Sequence, residues 1–145
     1  MLDIITICDN GNNANTYVVG NDKEVIIIDP ANRLSNITTA VKTRKVLGIF
    51  LTHAHYDHFV TLNEVLNKYN VNCYMHQKAF NKLTNLMDSC AFFFGVKNLK
   101  ETDKNKTVFI KDNQVLELSS NLKIKVITTP GHTDCSVVYQ IEDVM

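Results

Sequence analysis

Three of the five histidines in this chain fall within six residues, in the run His53-Ala54-His55-Tyr56-Asp57-His58. On an extended segment, histidines at i and i+2 point the same way, so His53 and His55 can close on one metal ion. Asp57 and His58, at the turn into a following helix, then face a neighbouring position. Imidazole with carboxylate is a ligand set suited to zinc, and also to iron or manganese. Without an ion, the same groups would crowd several donors and acceptors together and repel one another on protonation. A further histidine, His132, stands in Thr128-Thr129-Pro130-Gly131-His132-Thr133. Pro and Gly make a tight turn there that presents the ring from a fixed loop, and it supplies the third imidazole of a three-histidine site. Thr133 is placed to support a ring nitrogen or the adjacent backbone.

The elements around these residues read as follows. Val46–Thr52 lacks polar alternation and is expected to be a strand buried on both faces. Residues leaving its carboxyl end enter the crevice where α/β proteins place their sites. After the cluster, Phe59, Leu62, Val65, Leu66 and Tyr69 lie at helical spacing. Upstream, Ile4–Cys8, Asn15–Val19 and Val25–Asp29 read as a meander of hairpins, the last strand ended by Pro30. Ser35 is a candidate N-cap for a helix over Asn36–Lys45. Val71–Met75 reads as a strand, and Phe80, Leu83, Leu86 and Met87 mark an amphipathic helix. Ala91–Gly95 prolongs that helix or forms a flap, with Phe92-Phe93-Phe94 assigned to the core. After a polar loop over Lys97–Lys106 come Thr107–Ile110 with Gln114–Leu118 after a Lys-Asp-Asn turn, then Leu122–Thr128 and Ser136–Ile141. The order implies a layered α/β (α+β) protein with mixed sheets, in one domain over residues 1–145.

Composition narrows the partners. Fifteen basic residues balance fifteen acidic ones, which argues against affinity built on overall attraction to nucleic acid or anionic membrane. The apolar runs are too short to span a bilayer, and Met1-Leu2-Asp3 offers no basic signal region. Cys8, Cys73, Cys90 and Cys135 show no CxxC spacing, so they are read as reduced, packed thiols in a cytoplasmic protein. Cys135, near His132, is assigned to packing, and His76 to a structural role. Ser136 has no Gly-x-Ser-x-Gly elbow around it.

His-Ala-His-Tyr-Asp-His after a strand, with Thr-Pro-Gly-His-Thr downstream, closely resembles the metallo-β-lactamase-fold hydrolases, and most of all their small glyoxalase II-like thioesterase branch. The resemblance runs over essentially the whole chain, since Val25–Asp29 matches the family's early strand ending in Asp. It implies an αββα sandwich with the metal site at the edge between two sheets. It implies that His53, His55 and His132 hold a first metal, and that Asp57 and His58 belong to a second. In such enzymes a metal-bound hydroxide attacks a thioester carbonyl, and Asp57 would be the catalytic residue that orients the nucleophile.

Set against that family, these residues carry no Gly-Asp turn and no later histidine, the remaining ligands of the second metal. One zinc site is therefore expected, with a second disfavoured and iron or manganese as other occupants. The sandwich is expected to be incomplete at its C-terminus, with a sheet edge open to self-association. The leading expectation is hydrolysis of a small acylglutathione-like thioester. The alternatives are a mononuclear iron persulfide dioxygenase, and an inactive metal-binding fragment or one part of a split enzyme.

Overall fold

The computed structural model describes residues 1–9 and 11–143. The N-terminal meander forms as expected: β1 (Asp3–Ile7), β2 (Thr16–Gly20) and β3 (Glu24–Ile28) pair antiparallel in chain order. β4 (Lys45–Phe50), β5 (Cys73–His76) and β6 (Thr107–Ile110) then add in parallel to give a six-stranded mixed sheet. Parallel neighbours need crossovers. α1 (Leu34–Val41) and α2 (Leu62–Tyr69) supply two of them, and α3 (Gln77–Lys82) opens the third. A second sheet of β7 (Val115–Ser119), β8 (Leu122–Thr128) and β9 (Val137–Asp143) is antiparallel throughout.

Alternation along the strands sorts side chains into two layers. Val25 and Ile27 of β3 pack with the helices, while Ile26 and Ile28 face the second sheet, where Leu122 and Ile124 meet them. Helices, first sheet and second sheet thus stack as three layers among the described residues, the fold anticipated from the sequence. In β4 the alternation slips by one. Val25 pairs with Val46 but Ile26 pairs with Gly48, leaving Leu47 unopposed. Such a bulge turns every later side chain to the other face, which sends Ile49 and Leu51 to the helices and Phe50 to the second sheet. Gly48 is required beside it: a Cβ there would sit 2.8 Å from the Tyr74 ring, which stacks on Phe50 at 4.6 Å between centres.

Several local expectations are corrected. Ser35 lies inside the first turn of α1, which starts after Arg33, and its carbonyl accepts from the Thr38 and Thr39 hydroxyls. The helix ends at Val41, where Lys42 takes φ 58°, because Lys45 must already pair with Glu24 in the sheet. α3 stops at Lys82, well before Met87. Beyond it the Asn85 side chain accepts from the backbone N–H of Met87 and Asp88, a local turn that competes with helix. The three phenylalanines are not core: Phe92, Phe93 and Phe94 are 59%, 73% and 38% exposed. Cys90 and Gly95 hold positive φ on either side of a single 3-10 turn that points Ala91 inward and the rings out. The Lys111-Asp112-Asn113 turn closes no hairpin, since β6 pairs with β5 and β7 with β8, so it carries the chain between sheets. Asp143 pairs with Leu122 at the end of β9 and not in a turn. Of the cysteines, Cys73 and Cys135 are buried, Cys90 is half-buried and Cys8 is exposed, and none is paired. No described helix is long and apolar enough to cross a membrane.

A buried thiol and a half-buried phenol make stability depend on alkali. Burial, and then the Asp29 charge, raise the proton affinity of the Cys73 thiol and the Tyr139 phenol. The unfolded chain releases these protons from about pH 8.5 and about pH 10 respectively, whereas the folded chain retains them. Stability is therefore full at neutral pH and falls as pH rises past those values. The urea midpoint is expected to drop between neutral pH and pH 10, and to drop less in Cys73→Ala.

Candidate metal centre

Beyond β4 the chain bends at Thr52 and runs on without regular structure to His55, whose backbone is extended. Leu51 N–H donates to Tyr74 O at 3.0 Å, and buried Ala54 anchors the run between the two histidines. His53 and His55 leave this tail, and a single 3-10 turn, Tyr56–His58, then presents Asp57 and His58. The turn is tied down from both sides, by Tyr56 N–H to Ser89 O at 2.7 Å and Ala14 N–H to Asp57 O at 3.0 Å. The second sheet docks on the same strand end. Val137 N–H donates to Thr52 O at 2.9 Å, and the Tyr139 hydroxyl to Leu51 O at 2.5 Å. The loop before β9 thereby carries His132 to the other two rings.

One donor atom from each of His53, His55 and His132 lies within 4.8 Å of the others. His55 Nδ1 and His132 Nε2 are 3.1 Å apart. Two nitrogens on a tetrahedral zinc with bonds near 2.05 Å stand about 3.3 Å apart, so this spacing suits a shared ion. The protonation pattern suits it too. Asp29 Oδ2 accepts from the Thr52 hydroxyl at 2.6 Å, so the Thr52 oxygen, with its one proton spent, accepts from His53 Nδ1 at 3.0 Å. That fixes the His53 proton on Nδ1 and leaves Nε2 with a bare lone pair. His53 Nε2 is buried with no hydrogen-bond partner. Burial, followed by the neighbouring His58, His55 and His132, pushes the His53 pKa down to about 3. Burial and then His132 also lower that of His55. An orphaned, unprotonated nitrogen among converging imidazoles fits a metal ion.

Asp57 and His58 lie beside the triad. The His58 and His53 rings are 4.2 Å apart between centres, and Asp57 Oδ2 is 3.6 Å from His58 Nε2. Burial pulls the His58 proton affinity down, but its hydrogen bond to Asp29, with the Asp29 and Asp57 charges, outweighs this and raises it. The structure adds a residue that the sequence left out of the site. Asp29 is buried at φ 51° and accepts from Thr52 N–H at 2.8 Å, Thr52 Oγ1 and His58 Nδ1, the last at 2.8 Å. Its signal was the strand ending in Asp29-Pro30. Thr133 bonds Ser136 Oγ and Cys135 Sγ, not a ring nitrogen. His76 accepts from Lys78 N–H and caps α3, in keeping with a structural role. A groove of about 550 Å³ lies between α3 and the Glu101–Lys104 segment, and no residue of the histidine cluster lines it.

Comparison with known proteins agrees with this geometry. The family description "Metallo-beta-lactamase superfamily" matches residues 9–145. The chain is 31% identical over 133 residues to "Probable metallo-hydrolase YqgX" of Bacillus subtilis, covering 90% of this chain and 61% of that protein. It is 27% identical over 134 residues to "Hydroxyacylglutathione hydrolase" of Dictyostelium discoideum, covering 88% and 41%. It thus spans about three fifths or less of these relatives. Among solved structures, the BLEG-1 B3 metallo-beta-lactamase superposes with a TM-score of 0.77 at 26% identity, over 96% of this chain and 66% of that one. With a family match from Asp9 onward and the histidines of two separate elements meeting at one point, the chain belongs to the metallo-beta-lactamase superfamily.

Proposed function

We propose that this chain carries the metal centre of a zinc-dependent hydrolase acting on small thioesters of the acylglutathione type. The observation that carries the reading is the convergence of His53, His55 and His132 around the unpartnered Nε2 of His53. The relative named hydroxyacylglutathione hydrolase supports the thioester class. Three neutral imidazoles hold zinc with one position left open. Zinc bound there supplies Lewis acidity toward a water and toward the thioester carbonyl oxygen. The protein does the rest. Asp29, through Thr52, keeps the His53 lone pair aimed inward. Asp57 orients the attacking water and passes its proton toward the departing thiol. His58, pinned by Asp29, faces Asp57 and steadies its carboxylate. Asp57 and His58 are also the residues that would serve a second metal.

The test is elemental analysis of the purified chain together with thiol release from an acylglutathione. About one zinc per chain and measurable release are expected. His55→Ala should lose the metal and lower release by at least about 100-fold. A chain that binds no zinc at micromolar concentration would refute the proposal. So would one that holds iron and consumes oxygen with a persulfide.

A further inference from the structure

His132 is oriented differently from His53 and His58. His53 is fixed by Thr52 and Asp29, and His58 by Asp29. The ring of His132 is exposed, and its one hydrogen bond among the described residues is to His55, itself a candidate ligand. Metal-ligating histidines are ordinarily aimed by a second polar partner. Here the backbone of the loop must do that work.

Within the loop, Gly131 N–H donates to Thr133 O, Thr133 N–H to Ser136 Oγ, and Thr129 N–H to Ser136 O. These bonds set its shape, and Val137 N–H to Thr52 O ties its β9 end to the first sheet, which leaves the tilt of its His132 end to be set. Two neighbouring side chains fix the tilt. Cys135 is buried in the core cluster that also holds Ala79 of α3 and Leu83 at its C-terminal cap. Asp134, two residues after His132, accepts from the Lys82 ammonium at the end of α3. Lys78 stands farther off, 3.9 Å from the other Asp134 oxygen. The pair is mutual in its electrostatics: their hydrogen bond is the main cause that raises Lys82 and lowers Asp134.

We propose that the Lys82–Asp134 ion pair is a strap that positions His132 and sets the affinity of the centre for its metal. The inference rests on the metal-centre reading above and assigns Lys82 and Asp134 as positioning residues. An exposed ion pair adds little to global stability. Its effect falls on the one loop whose tilt decides whether the third imidazole meets the other two.

The test is zinc affinity of the full chain, measured by competition with a chromophoric chelator. It has a discriminating sign. Lys82→Met removes a cation near the site, so charge alone predicts tighter zinc. The strap predicts zinc about tenfold weaker, with an altered visible spectrum of the cobalt-substituted chain and an unchanged melting temperature of the metal-free one. Asp134→Asn should match it, the double variant should be no worse than either, and Lys82→Arg should restore the affinity. Lys78→Met should change little. Wild-type or tighter affinity in Lys82→Met would overturn the strap, as would a Lys78→Met loss of equal size. A wild-type chain that binds no zinc would overturn the metal reading, and the strap with it.

Discussion

Asp29→Asn is expected to leave the chain folded and to weaken zinc binding by about 10–100-fold. The carboxylate accepts three hydrogen bonds from Thr52 N–H, Thr52 Oγ1 and His58 Nδ1, and donates none. Asparagine keeps the shape and tolerates the left-handed backbone of φ 51° at this position. Its amide, however, puts an N–H where an oxygen accepted the Thr52 hydroxyl. The hydroxyl then accepts, and its proton turns to His53 Nδ1. His53 must place its own proton on Nε2, the atom that should hold the metal. The loss is therefore one of tautomer and not of fold. Asp29→Ala behaves differently. It strands a buried N–H, a hydroxyl and an imidazole, and puts a side chain that disfavours positive φ there. Hydrogen bonds to a charged group contribute about 1.5–3 kcal/mol each, and unsatisfied partners cost more. Alanine is expected to destabilise by about 3–5 kcal/mol, asparagine by about 1–2. Urea denaturation and chelator competition on both variants separate the two effects. Equal zinc affinity in Asp29→Asn and wild type would sink the tautomer argument.

What was legible in the sequence follows the range of the forces involved. The strands and the histidine run were readable because their signals are local: an apolar stretch without alternation, a cluster within six residues, and a Pro-Gly turn before His132. Asp29 was visible only as the end of a strand. Its role arises because β3 and β4 pair in parallel and bring Thr52 and His58 to it from 23 and 29 residues away. No periodicity encodes that. The phenylalanines went astray for a related reason. Apolar type favours the interior, but two positive-φ positions on either side of Ala91 decide which way the turn faces. The Lys-Asp-Asn turn has hairpin chemistry in its sequence. The partners of β6 and β7 are chosen by the core instead, where Ile110 packs with Val126 and Val137. The bulge at Leu47 was invisible in composition, although it decides the face on which β4 delivers its residues.

Metal should also be worth a large fraction of this chain's stability. Zinc that binds the folded chain and not the unfolded one stabilises it by about 4 kcal/mol when free zinc exceeds its dissociation constant 1,000-fold. Without metal, His53 keeps a buried nitrogen with no partner, a state that costs about 1–3 kcal/mol. The residue is thus expected to be unfavourable in the metal-free chain and indispensable in the metal-bound one. His53→Leu removes the orphaned nitrogen and keeps an apolar side chain in the site. It forfeits the bond to Thr52, but the Thr52 hydroxyl still donates to Asp29. In excess chelator the variant should melt at or above the wild-type temperature. In saturating zinc the order should reverse, because only the wild type is raised, and for a domain of this size 1 kcal/mol corresponds to roughly 3–5 °C. The reversal is the diagnostic, since a residue that merely packs would lower the melting temperature equally in both conditions. If His53→Leu melts several degrees below wild type in chelator, the imidazole is at home in the core without a metal. If zinc raises neither chain, the three rings do not form a metal centre.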